Sequence, residues 1–121
     1  MDWGELERIM SGIYAGKTGR PSYPLLTLLR ASLLGIWYRL SDVELAQTLF
    51  RDLLFRKFCH LELGGDVPDA TTIGRFRAKL IEHDLWEVLL GEVNRQLEAK
   101  HIIMTEGRIN IIDATPVEAA Q

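Results

Sequence analysis

The segment PLLTLLRASLLGIWYRL, residues 24–40, decides the fold that this sequence predicts. Pro24 suits the first position of a helix, where its missing N–H would have no partner in any case. Apolar side chains then recur at helical spacing, and further leucines widen the stripe over most of the circumference. A helix that is apolar on nearly every side must be covered on nearly every side. We therefore expect it at the centre of its domain.

Start signals for further helices surround this segment and predict a bundle. An amphipathic pattern covers residues 2–10, and a glycine-rich connector follows it. The predicted N-caps are Ser41, Asp52, Asp69 and Asp84. Ser41 forms a predicted capping box with Glu44, and Asp84 is predicted to act together with Glu87. The predicted core includes Leu33, Trp37, Phe58, Phe76 and Trp86.

After Lys100 the chain changes character. The stretches HIIM and RINIID are rich in β-branched residues and too short for helices, and Glu106 and Gly107 form a turn signal between them. The predicted fold class is therefore mainly α. It is a compact bundle of five or six helices with a helix-turn-helix-like middle, followed by one C-terminal β-strand.

Charge is unevenly distributed along the chain. The net charge of −3 at pH 7 argues against nucleic-acid binding when taken alone. Residues 1–19 carry two basic and three acidic side chains, for a net charge of −1. Residues 20–80 carry nine basic and six acidic side chains (net charge +3), and residues 81–121 carry three basic and eight acidic side chains (net charge −5). A basic middle thus lies between acidic flanks. The single cysteine, Cys59, cannot form an internal disulfide, which suits a reducing cytoplasm.

Two apparent motifs, a phosphate-binding loop and a zinc site, are weak evidence for function. The stretch SGIYAGKT resembles a phosphate-binding loop, but its glycine spacing is one residue short and a helix precedes it in place of a strand. Cys59 and His60 are adjacent but have no second pair at zinc-ligand spacing. We expect a connector and structural or solvent-facing side chains at these two places.

The basic middle predicts a DNA-binding face. On the helix from Thr71 to Leu80, one side is apolar and the other carries hydroxyl and basic groups, which suit phosphates and base edges in a major groove. The upstream helix pair adds further bases. The candidate DNA-binding residues are Thr71, Thr72, Arg75, Arg77, Lys79, Arg51, Arg56 and Lys57. An ordinary solvated helix face would show the same pattern.

Several stretches in one order resemble DDE transposases of the group named after insertion sequence five. They are YPLLTLLRASLLGIWYRLSDVELAQTLFRDLLFRKFCHL, VPDATTIGRFRAKL, VNRQLEAKHIIMTEGRINIIDAT and VEAA. The resemblance covers residues 23–121, and residues 1–22 match more loosely. It implies three parts: an N-terminal helix and connector at 1–22, a helical DNA-associated domain at 23–100, and the start of a ribonuclease-H-like catalytic domain at 101–121.

The resemblance also implies a role for Asp113, which matches the first acid of the catalytic triad. The other two acids would lie beyond Gln121, so we expect the chain to be truncated and inactive alone. The complete enzyme would use Mg²⁺, bound in part by Asp113. Pro116 departs from the β-forming residue expected after the DAT motif.

Three functions remain open at this point. The first is the element-end-binding portion of a transposase, with double-stranded DNA as partner and a cytoplasmic location. The second is a repurposed helical protein that dimerises with or inhibits a full-length transposase, and the third is a small helix-turn-helix regulator. Arg30, Arg39 and Arg51 interrupt the apolar stretches, so we expect no membrane partner.

Overall fold

The computed structural model describes residues 1–13 and 23–100 in full and the backbone of residues 102–105 and 108–111. Six helices and two strands follow one another in this part of the chain. They are α1 (Trp3–Met10), α2 (Leu25–Trp37), α3 (Asp42–Arg51), α4 (Leu53–Cys59), α5 (Ala70–Glu82), α6 (Trp86–Ala99), β1 (Ile102–Thr105) and β2 (Arg108–Ile111).

Helix α2 lies at the centre of the bundle, as its sequence predicts. All nine residues from Thr27 to Gly35 are buried, because α2 contributes to two apolar clusters on different sides. One cluster joins it to α1, α5 and α6, and the other joins it to α3, α4 and the first half of α5. The predicted mainly helical bundle is confirmed.

Helix α1 belongs to the same core as α2 and α6. Leu6 and Met10 are fully buried in the cluster that α2 shares with α6. The Asp2 backbone N–H donates to Gln96 Oε1 at 2.6 Å, and the Trp3 ring lies under the Arg30 guanidinium at 4.3 Å from its centroid. Domain boundaries at residues 22 and 100 stay a prediction.

The helix starts agree with the sequence at three of the four predicted caps. Ser41 and Glu44 form the capping box, and Asp52 and Asp69 accept hydrogen bonds from the first turns of α4 and α5. The predicted cap at Asp84 is wrong, since Leu85 occupies the N-cap of α6 without a side-chain hydrogen bond.

The predicted cap at Asp84 fails because Asp84 belongs to the end of the preceding helix, α5. Asp84 has φ +57, and the next amide, from Leu85, reaches back to the Leu80 carbonyl at 2.8 Å. This is the Schellman arrangement that ends a helix, so Asp84 serves α5 and is not available to α6. Helices α2 and α4 end in the same way at Arg39 and His60.

The predicted core is confirmed in part. Leu33 and Phe76 are buried, at 1% exposure each, whereas Trp37, Phe58 and Trp86 are half-buried. Trp37 and Trp3 both contact the Phe58 ring, with centroids 6.2 and 5.9 Å apart. These aromatic side chains therefore line the edge of the core rather than its centre.

The strands β1 and β2 pair antiparallel, with Ile102 opposite Ile111 and Thr105 opposite Arg108. The sequence predicts one C-terminal strand, and the described backbone has these two short ones. Asp113 lies outside the described residues. The ribonuclease-H-like continuation stays a prediction.

Replacing Phe76 by alanine tests the central packing. Because Phe76 is buried where α5 meets α2 and α6, Phe76→Ala should lower the free energy of unfolding by about 3–5 kcal/mol. Phe50→Ala is the matched control, since Phe50 is 71% exposed and its loss should change stability by less than about 0.5 kcal/mol. Urea unfolding followed by circular dichroism measures both; equal effects would contradict this position for Phe76.

Candidate nucleic-acid interface

Helix α5 separates an apolar side from a polar side. Ile73, Phe76 and Leu80 are buried against the core. Thr71 and Arg75 are exposed, and Lys79 is half-buried with its Nζ 4.0 Å from Glu82 Oε1. Residues four apart lie on one face of a helix, so Thr71, Arg75 and Lys79 form a row along α5 that we call the α5 row.

The first turn of α5 is closed by its own cap. Asp69 Oδ1 accepts a hydrogen bond from the Thr72 amide at 2.8 Å. This bond, helped by the Thr72 side chain, holds the pKa of Asp69 below its usual range. A carboxylate already occupies the place where a helix N-terminus would hold a phosphate. Phosphates would therefore meet the side chains of α5 rather than its terminal amides.

Arg77 connects α5 to the start of α3. Its guanidinium donates to both oxygens of Asp42, at 2.9 and 2.7 Å. The hydrogen bond from Arg77 is the largest reason why the pKa of Asp42 is lowered. A two-point contact of this kind fixes both side chains, so Arg77 orients α5 on α3 instead of extending freely into solvent.

Arg56 is buried, at 5% exposure, and its guanidinium hydrogen-bonds three backbone carbonyls. Nη2 donates to Phe50 O at 2.9 Å, and Nη1 donates to Glu62 O at 2.8 Å and to Gly65 O at 3.3 Å. Arg56 thus joins the end of α3, helix α4 and the loop before α5. Arg56 therefore has a structural role.

Arg51 and Lys57 are exposed on either side of the α3–α4 junction, and no ion pair joins either of them to another described residue. The two helices meet at Asp52 alone, which both ends α3 and caps α4. This junction is shorter than the three- or four-residue turn of a helix-turn-helix motif.

An open groove links this junction to the start of α5. Its lining residues are Ala46, Gln47, Phe50, Arg51, Val67, Pro68 and Asp69. Gln47 is exposed on α3 at this groove and carries an amide that can read base edges. Sequence reasoning missed Gln47, because only the folded chain brings α3 beside Val67, Pro68 and Asp69 to form this groove.

The described residues offer no metal site or reactive thiol. Among them no three or more His, Cys, Asp or Glu side chains are grouped so as to hold a metal ion. Burial raises the pKa of the Cys59 thiol to about 12, so it stays protonated. Asp113 lies outside the described residues. Mg²⁺ and its proposed ligand Asp113 therefore stay expectations from the resemblance.

Comparison with known proteins identifies the family. The model of the family described as Transposase domain (DUF772) matches residues 1–79. The chain belongs to this family of transposase domains. The matched range contains α1 to α4 and all of the α5 row. No solved structure matches the chain. None of the helices in the described part of this transposase domain is long and apolar enough to span a bilayer.

Replacing Arg56 by methionine tests its structural role. Arg56→Met keeps an unbranched apolar stem but removes every donor to the three carbonyls, and unsatisfied buried carbonyls are costly. We expect the free energy of unfolding to fall by at least about 2 kcal/mol. Lys57→Met makes the same kind of change at an exposed neighbour and should cost less than about 0.5 kcal/mol. A stable Arg56→Met variant would contradict the structural role.

Proposed function

We propose that this chain is the DNA-binding portion of an insertion-sequence transposase and binds the ends of its element. The observation that carries the proposal is the α5 row within the family's matched range. Ile73 and Phe76 are buried against the core, so the opposite side of α5 presents Thr71 and Arg75 to solvent. A transposase must bind double-stranded DNA, and this row has the groups to do so.

The α5 row would lie in a major groove. An arginine can donate two hydrogen bonds to one guanine, and a threonine can contact base edges or phosphates. Thr72 would contribute less than Thr71, because it is half-buried and its side chain already interacts with the Asp69 carboxylate. Arg51 and Lys57, both exposed, would contact phosphates beside the helix and set its register on the duplex.

Cleavage would need more carboxylates than the one that the resemblance assigns. By resemblance Asp113 is the first acid of a triad, and two-metal phosphoryl transfer needs carboxylates from several elements to hold both ions. We therefore propose that the chain contributes binding, with catalysis by Asp113 and Mg²⁺ only in a complete enzyme. A second copy, or a full-length transposase, would be its protein partner.

Salt dependence of DNA binding tests the α5 row. The probe is a duplex selected for tight binding to the wild-type chain from a random-sequence pool. Each lost phosphate contact reduces the slope of log affinity against log salt by about one. Arg75→Ala with Lys79→Ala should therefore weaken binding and reduce that slope by one to two, measured by fluorescence anisotropy across a salt series.

Arg95→Ala with Lys100→Ala is the matched control. It removes the same charge from the end of α6, where Arg95 is paired with Glu92. We expect this control to keep the wild-type slope to within experimental error. Equal slopes for both double variants would show that the α5 row is only a solvated face.

A further inference from the structure

We draw no further inference here: the strongest candidate, the exposed apolar patch of Phe50, Leu53, Leu54 and Leu63 at the α3–α4 junction, carries none, because exposed bases (Arg51, Lys57) and exposed acids (Glu62, Asp66) both lie beside it and nothing in the structure shows what covers it.

Discussion

The burial of α2 on all sides is the constraint on which the rest of the structure depends. Nine consecutive residues are buried, so every other helix is placed by the side of α2 that it covers. The polar groups among them have partners: Thr27 donates to the Cys59 carbonyl, Ser32 to the Leu28 carbonyl, and Arg30 lies over the Trp3 ring. Buried polar groups without such partners would destabilise the fold.

The basic side chains of residues 20–80 fall into two groups, those that stabilise the fold and those that remain for a partner, and counting charges in the sequence cannot separate the two. Arg30, Arg56 and Arg77 stabilise the structure through an aromatic ring, three carbonyls and a carboxylate respectively. The long stem and planar guanidinium of arginine suit such contacts. The net charge of the segment therefore overstates what it offers to a partner; among the described bases, Arg51 and Lys57 are exposed at the α3–α4 junction and Arg75 on α5.

Sequence reasoning succeeded where the chemistry is local. The capping box at Ser41 and the cap at Asp69 involve side chains within three residues of the amides they bind, so their pattern is visible in the sequence. It failed where partners are distant, as for Arg77 and Asp42, which are 35 positions apart. It also failed at Asp84, because left-handed conformations at helix ends are expected of glycine, and aspartate gives no such signal.

We propose that α2 holds α5 so that the polar row of α5 faces DNA. An NMR titration of the isotopically labelled chain with its selected duplex tests this most directly. We expect the amide shifts to change around Thr71, Arg75, Arg51 and Lys57, while those on the outer face of α6 around Arg95 stay unchanged. Shifts concentrated on α1 and α6, with α5 unaffected, would contradict it.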